Sequence, residues 1–395
     1  MEYSFHVSEN QATVRYSFRL RPGKFAEARL ILEWNCARYV WNQCVEIGNS
    51  SYKMFKEGIA HEAPTYCRMS KKLTALRAEY DWLREGSQVV QQQTVRKWHA
   101  AHQQAFKQPS KGFPKFHSSK FTLPSLEYTS NGFKLKDGKL CLSGGISIPV
   151  VWSRDLPSQP KSCVVTRDCD DHWNVSFVVR REKEIFPPSS ESVGIDWGVK
   201  TVATTTDPNF DLTCGDQTKN NAESLKWAHR KLSRAKHGSK KRWKVKRLVA
   251  RIHLRIARQR KDRAFKWARK VVTAFGRIAV EDFKPRFLYK SRMARKSADG
   301  AVGMTKKILL TMAETAGRTV ALVSPAYSTM DCEKCAARSK HRIPLSQRTF
   351  VCESCGYTAD RDRNASGVIR FRAGFNPADV DDVRLVHDFG CAPAI

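Results

Sequence analysis

The chain has 395 residues, of which 41% are hydrophobic, so it is long enough for two or three domains with sizeable cores. Its 70 Lys and Arg against 38 Asp and Glu give a formal net charge of +32, which is unfavourable in a compact protein that has no polyanionic partner. Composition therefore favours a nucleic-acid-binding protein over an enzyme of small acidic metabolites, for which a local basic patch would suffice.

The lack of a recognisable targeting signal and the cysteine usage predict a cytoplasmic protein. No run of 18 apolar residues predicts a spanning helix, and the first ten residues lack the basic start and apolar stretch of a secretory signal. Eight of the twelve cysteines are scattered without short regular spacing, which suits a reducing compartment and argues against a disulfide framework. We expect no membrane partner.

The N-terminal half combines strand and helix patterns. Residues 12–20 alternate apolar and polar side chains, which predicts a half-buried strand. From about residue 24 to residue 107, apolar residues recur at three- and four-residue steps, which predicts helices. Over 112–183, short β-like segments follow, with hairpin turns predicted at Asn131-Gly132 and Asp137-Gly138. We predict one small β-barrel, with the helical block inserted into it.

The C-terminal half begins after a linker at 186–190 with two predicted strands, 193–197 and 201–206. A helical stretch follows over 222–275, and further strands are predicted at 277–280 and 320–324. Within 226–270 there are 20 Lys or Arg and a single acid. A solvated basic face is the simplest interpretation, but so unequal a charge favours contact with nucleic-acid phosphates. The predicted contact residues are Lys240, Lys241, Arg242, Lys246, Arg247, Arg251 and Arg255.

Three acids stand where a strand ends or a helix begins: Asp196, Glu281 and Asp362. Each has a structural interpretation, because a strand-end Asp can satisfy a turn and either Asp360 or Asp362 can cap the helix. Together, in so cationic a chain, they suit two Mg²⁺ ions, which take carboxylate and phosphate oxygens and promote phosphodiester hydrolysis. The order of strand acid, distant strand acid and helix acid is that of ribonuclease H-like nucleases.

Four cysteines form two C-x-x-C knuckles separated by 16 residues: Cys332, Cys335, Cys352 and Cys355. This spacing is typical of a tetrahedral Cys₄ zinc site, which is closed and therefore structural. Redox chemistry at a C-x-x-C pair is the alternative, and the pairing of two knuckles disfavours it.

With these motifs in place, the chain resembles the TnpB family, the transposon-encoded RNA-guided DNA nucleases related to miniature type V CRISPR effectors. The matching segments are 194–200, 280–283, 324–329, 360–365 and the two cysteine knuckles. Two positions depart from the family pattern. Ala336 stands where a glycine often follows the first knuckle, and Gly367 weakens the last helix by about 1 kcal/mol relative to Ala.

The resemblance implies a multidomain α+β protein that includes an RNase H-like (RuvC) α/β nuclease domain. By motif position, Asp196, Glu281 and Asp362 are the catalytic acids and Mg²⁺ ligands, and Asp282 is a neighbour. The resemblance also implies a guide RNA, target double-stranded DNA, a short target-adjacent motif and a prokaryotic cytoplasm or nucleoid; a homodimer is left open. The implied domains are a wedge-like β-barrel (1–23 and 108–186), a helical recognition domain (24–107), the nuclease domain (190–330 and 358–372), a zinc ribbon (331–357) and a C-terminal tail (373–395).

Several alternatives stay open. A miniature type V CRISPR effector would have the same chemistry. A guided DNA binder or repressor with weak or no cleavage would be marked by loss of a site acid, and all three are present. A zinc-ribbon RNA-binding protein would explain the charge and the cysteines but not the acids. A DNA transposase would join strands as well as cut them.

Overall fold

The computed structural model describes residues 11–59, 64–120, 122–182, 184, 186–283, 294–341, 343, 344 and 347–375. The chain divides into two compact units, the first ending at Glu182. Among the described residues, no helix combines the length and the apolar character needed to cross a bilayer.

The first unit contains a nearly closed seven-stranded sheet in which all neighbouring strands are antiparallel. Its order is β2-β6-β7-β1-β5-β4-β3. The alternation predicted for 12–20 is confirmed, because the first strand buries Phe18 and Leu20 in the sheet core. The strands are β1 (Gln11–Leu20), β2 (Ser125–Thr129), β3 (Phe133–Lys136), β4 (Lys139–Leu142), β5 (Ile146–Val151), β6 (Ser162–Arg167) and β7 (Trp173–Glu182).

The helices of the first unit lie between β1 and β2, as predicted. They are α1 (Lys24–Lys56), α2 (Tyr66–Glu79), α3 (Asp81–Arg84) and α4 (Gln88–Lys107). The start of α1 packs on the sheet through Leu30 and Trp34, whereas its later turns form a separate core with α2 and α4 around Trp98. The helices α2 and α3 are separated at Tyr80, whose backbone is extended.

One of the two predicted hairpin turns is confirmed. Asp137 and Gly138 join β3 to β4 with φ values of 50° and 71°, the left-handed backbone that a tight hairpin requires. The prediction for Asn131-Gly132 is wrong, because the strands on either side of it lie at opposite ends of the sheet order. Gly132 is buried, and a Cβ there would lie 3.0 Å from the side chain of Val89. This glycine permits close packing on α4.

The second unit contains a five-stranded sheet of order β10-β9-β8-β11-β12. The strands β8, β9 and β10 are antiparallel neighbours, and β11 and β12 run parallel to β8. A separate two-stranded hairpin lies close to the end of the described chain. The strands are β8 (Ser192–Trp197), β9 (Thr201–Thr205), β10 (Leu212–Thr213), β11 (Arg277–Glu281), β12 (Thr319–Val323), β13 (Thr349–Val351) and β14 (Thr358–Asp360).

Helices cover this sheet and extend beyond it. Its core is formed with the second half of α7, through residues such as Trp267 and Val271, and with α9. The first half of α7 packs against α6, and of the apolar residues at 245, 248, 252 and 256 only Ile256 is buried. The helices are α5 (Gln217–Asn220), α6 (Ala222–Arg234), α7 (Lys240–Ala274), α8 (Ala294–Gly300), α9 (Val302–Thr315) and α10 (Arg361–Arg372).

The core of the second unit continues just past the end of α10. Phe375 is fully buried against Ala279, Val323 and Ile369, and its carbonyl oxygen accepts a hydrogen bond from Ser192 Oγ at 2.7 Å. Residues up to 375 therefore belong to the core of the second unit. The remainder of the predicted tail lies outside the described residues.

Candidate active site and zinc ribbon

Asp196 and Glu281 lie at equivalent positions on two neighbouring parallel strands. The register of β8 and β11 pairs Ile195 with Val280, so the two acids each come one residue further along. Residues paired in this way project their side chains from the same face of a sheet. The two carboxyl groups share a hydrogen bond, and the backbone N–H of Trp197 donates to Glu281 Oε2 at 3.2 Å.

The helix α10 approaches this face closely because β8 contains Gly194. A Cβ at this position would lie 1.9 Å from the carbonyl oxygen of Ser366, so a larger residue would displace the helix. Asp362 lies one helical turn before Ser366, and Asp196 lies two residues after Gly194 on the same face of the strand. The close packing thereby brings the third acid near the first, and its charge acts on the carboxyl group of Asp196.

The two acids at the start of α10 have different roles. Asp360 is the N-cap, because its Oδ1 accepts the backbone N–H groups of Asp362 and Arg363 at 3.0 and 3.1 Å. Asp362 is half-buried and forms ion pairs with Arg348 and Arg361, each at 3.2 Å. The two acids therefore differ: Asp360 caps the helix, whereas the charge of Asp362 acts on Asp196.

The site has an unfavourable concentration of negative charge. Desolvation raises the pKa of Asp196 well above its ordinary value, and the charges of Glu281 and Asp362 raise it further. Desolvation also raises the pKa of Glu281, although the N–H of Trp197 and the bond from Asp196 partly offset this effect. Grouped carboxyl groups of this kind retain a proton unless cations compensate their charge. The oxygen donors therefore fit divalent metal ions.

A lysine from α9 lies beside the acids and was not predicted. Lys306 Nζ forms an ion pair with Asp282 Oδ1 at 2.9 Å, and its side chain is only 13% exposed. Its positive charge also lowers the pKa of Glu281, against the larger effect of burial. Asp282 thus pairs with a cation beside the hydrogen-bonded carboxyl pair. A lone lysine on an amphipathic helix carries no sequence signal for this position.

The four cysteines of the predicted ribbon are brought together. Their sulfur atoms all lie within 4.8 Å of one another, with 3.7 Å between Cys332 and Cys355 and 3.6 Å between Cys335 and Cys352. Tetrahedral zinc, with Zn–S bonds of about 2.3 Å, requires sulfur atoms about 3.8 Å apart. The cluster can therefore hold a metal ion of this kind. Among the described residues, no three acids bring their oxygens equally close.

Both knuckles have the same backbone geometry. In each, the residue directly after the second cysteine folds back on the first: Ala336 N–H donates to Cys332 O at 2.9 Å, and Gly356 N–H donates to Cys352 O at 3.0 Å. Their φ values are 58° and 69°, so both occupy the left-handed region that favours glycine. The alanine that departs from the family pattern is therefore under backbone strain.

Replacing Ala336 with glycine is expected to stabilise the ribbon. A left-handed conformation costs an L-residue about 1–2 kcal/mol, which glycine avoids. The greater conformational entropy of glycine in the unfolded chain offsets roughly 0.5–1 kcal/mol of this gain. Ala336 is exposed, so its methyl group is not needed for packing. Chelator-induced metal release should be slower in Ala336→Gly than in the wild type; equal or faster release would contradict the strain argument.

The ribbon is fastened to α10 by a buried amide. Asn364 is fully buried; its Nδ2 donates to Asp331 O at 2.8 Å, and its Oδ1 accepts from Glu333 N at 3.1 Å. Glu333, inside the first knuckle, accepts a hydrogen bond from Tyr357 and packs on Gly367, where a Cβ would lie 1.4 Å from its Oε2. The glycine that weakens the helix is therefore what lets the ribbon approach it. The sequence placed residue 364 in the matching segment 360–365 but did not predict this contact.

The basic stretch forms a helical hairpin from α6 and the first half of α7. Lys240, Lys241, Lys246, Arg251 and Arg255 are exposed, and Arg247 is half-buried. Arg242 differs from the other predicted contact residues. Its Nη1 donates to the carbonyl oxygens of Leu232 and Ala235 at 2.6 and 3.1 Å, which closes the turn of the hairpin.

Comparison with known proteins gives consistent matches along the chain. Residues 176–292 match the family described as "Probable transposase", and residues 303–369 match "Cas12f1-like, TNB domain". A "Putative RNA-guided DNA endonuclease" of Streptomyces pristinaespiralis is 28% identical over 358 residues, which cover 89% of this chain and 87% of the relative. "Putative RNA-guided DNA endonuclease InsQ" of Escherichia coli K12 is 27% identical over 382 residues, covering 89% and 90%.

A solved structure has a similar fold. The "Cryo-EM structure of the Cas12f1-sgRNA-target DNA complex" superposes with a TM-score of 0.53 at 14% identity, covering 93% of this chain and 99% of that one. The two sheets and the four-cysteine cluster thus define a mixed α/β protein with a Cas12f-like fold. These matches support a protein of the TnpB family, which is related to the miniature type V effectors, and the resemblance inferred from its motifs is confirmed.

Proposed function

We propose that the protein is an RNA-guided DNA endonuclease that hydrolyses target DNA. Its catalytic site would be formed by the carboxylates of Asp196, Glu281 and Asp362. The observation that carries the proposal is the hydrogen-bonded pair of acids on β8 and β11, with a third acid brought beside it by the close approach of α10. The names of the relatives, both of which match most of this chain, support the same activity. Guide RNA and target double-stranded DNA are the proposed partners.

The topology of the second unit supports a RuvC-like nuclease domain. Three antiparallel strands followed by two strands parallel to the first are what an RNase H-like sheet requires, and Asp196 and Glu281 lie on two neighbouring strands, β8 and β11, inside this sheet. We assign the seven-stranded sheet of the first unit to the wedge, its helices to target recognition, and residues 331–357 to a zinc ribbon. Reading of a short target-adjacent motif belongs to this proposal and is assigned to no residue.

The three acids would hold two Mg²⁺ ions, which would activate water and neutralise charge on the scissile phosphate. The chain's own residues prepare the site for them. The N–H of Trp197 orients Glu281, and Asp196 shares a proton with it while the site lacks compensating charge. Arg348 and Arg361 hold the carboxylate of Asp362 in place.

The first test is to identify the RNA that the protein carries. We would purify the full chain from cells containing its own flanking locus and sequence the RNA that stays bound. One discrete RNA encoded at that locus is the expected result. A mixture of unrelated cellular RNA would contradict the guided mechanism and leave a basic nuclease or a zinc-ribbon RNA-binding protein.

The basic hairpin is the proposed site of contact with nucleic-acid phosphates. Lys240→Ala together with Lys241→Ala should reduce the slope of log K against log salt by about 1.4–1.8, since each lost phosphate contact contributes about 0.7–0.9. Filter binding between 50 and 300 mM salt, roughly the range in which such slopes are measured, would give the value. Lys240→Arg with Lys241→Arg keeps the charge and should keep the slope. An unchanged slope in the alanine variant would remove these lysines from the interface.

A further inference from the structure

Two large aromatic side chains of the basic hairpin are left in solvent. Trp227 on α6 is 51% exposed, and Trp243 on α7 is 53% exposed. Both lie within residues 226–270, which hold 20 Lys or Arg against one acid. Indole rings are usually buried because of their large apolar area, so two exposed rings in one short hairpin indicate a surface that is covered by a partner.

Each indole ring is paired with a cation from its own helix. Lys231 Nζ lies 3.8 Å from the ring centroid of Trp227, and Arg247 Cζ lies 4.8 Å from that of Trp243. In both cases the cation comes four residues after the tryptophan, one helical turn along. The cation covers part of each ring, and about half of each tryptophan's surface stays accessible. An aromatic surface with a positive charge beside it is thereby repeated on the two arms of the hairpin.

This combination fits a nucleotide with an unpaired base better than duplex DNA. Phosphates of a duplex need cations alone, and its bases are already stacked on one another. An unpaired base offers a free flat face, which stacks on an aromatic side chain whatever the base, while its phosphate is met by Lys or Arg. A protein partner attracted to so cationic a surface would have to be strongly acidic, and the proposed RNA supplies that charge without a further component.

We propose that Trp227 and Trp243 are stacking sites for unpaired nucleotides of the nucleic acid that the protein carries. The proposal rests on the proposed function for the presence of that nucleic acid. It assigns to the hairpin a contact that does not depend on salt, in addition to its phosphate contacts. Single-stranded RNA and a displaced DNA strand offer the same chemistry, and the test separates them.

The test measures binding of the full-length protein to three fluorescent probes: single-stranded RNA, single-stranded DNA and duplex DNA of one mixed sequence. Trp227→Ala and Trp243→Ala should each weaken single-strand binding about tenfold, a typical loss for one stacked base. Duplex binding and the salt slope should stay unchanged, because no charge is removed. Trp243→Phe should restore most of the affinity, since phenylalanine keeps a stacking face.

The pattern of losses decides the outcome. A loss on RNA, with or without a loss on the DNA strand, supports stacking of the RNA that the protein carries. A loss on the DNA strand alone would contradict that assignment and move the stacking sites to displaced DNA. Equal losses on single strands and duplex, no loss at all, or a loss that phenylalanine does not restore would overturn stacking. If the wild type binds none of the probes, the nucleic-acid assignment of the proposed function fails first, so the two failures are distinguishable.

Discussion

Asp196→Asn is expected to abolish DNA cleavage and, at the same time, to stabilise the metal-free protein. The variant removes a charged oxygen ligand from the centre of the acid cluster, and loss of even an outer-shell partner of a metal site costs about 10–100-fold. Cleavage should therefore fall by more than about 100-fold. The measurement is cutting of guide-matched DNA in Mg²⁺ by wild type and variant carrying the same RNA.

The stabilising effect follows from the raised pKa values. Desolvation raises the pKa of Asp196 and Glu281 in the folded protein, so in the pH range above the ordinary carboxyl pKa the unfolded chain binds fewer protons than the folded one. Stability then falls as pH rises through this range. Asp196→Asn removes most of that dependence. With both proteins in chelator at neutral pH, the Tm of the variant should exceed that of the wild type by about 2–4 °C for each kcal/mol gained in the free energy of unfolding.

A neighbouring acid provides the matched control. Asp282 lies next to Glu281 but pairs with Lys306, so Asp282→Asn should retain cleavage and should not raise the Tm. Loss of cleavage in Asp282→Asn with retention in Asp196→Asn would show that the acids have been assigned wrongly. A metal-free Asp196→Asn protein less stable than the wild type would contradict the electrostatic account of the site.

Loss of the ribbon metal is expected to inactivate the nuclease, although no cysteine belongs to the acid cluster. Cys352→Ser removes one of four sulfur ligands and should release the metal, as structural zinc sites fold only with their ion. The first knuckle then no longer holds Glu333 and Asp331 against Asn364, and the start of α10 loses its support. Metal content, cleavage and the Mg²⁺ concentration for half-maximal cleavage are the measurements.

Asn364→Ala separates support of the helix from metal binding. It leaves two buried backbone groups without their partner, at a cost of roughly 1–3 kcal/mol each, while all four cysteines remain. The variant should keep the metal held by the four cysteines but need a higher Mg²⁺ concentration than the wild type. Normal cleavage at the normal Mg²⁺ concentration in Asn364→Ala would contradict a role of the ribbon in positioning Asp362.

The sequence predicted those features that depend on local pattern. Alternating apolar residues predicted β1, and the knuckle spacing predicted the cysteine cluster, because each signal lies within one short segment. It failed where distant segments meet. The hairpin expected at Asn131-Gly132 is a packing contact with α4, since a turn dipeptide does not reveal whether its flanking strands pair with each other.

The site shows the same division. Strand ends and motif position predicted the three acids. The packing of α10 on β8, which brings Asp362 near Asp196, depends on Gly194, because its missing side chain leaves room for the backbone of Ser366. The ion pairs of Asp362 with Arg348 and Arg361 were not predicted either, because arginines are common throughout this chain and none of them carries a distinguishing pattern.

The most direct test of the account is a change of guide. Once the bound RNA is known, its targeting segment would be replaced and the wild-type protein given two DNA substrates, one matching the old segment and one the new, each with the same flanking sequences. The account predicts that Mg²⁺-dependent cutting moves to the new substrate and that Asp196→Asn cuts neither. Cutting that stays on the old substrate, or that occurs equally on both, would contradict an RNA-guided nuclease.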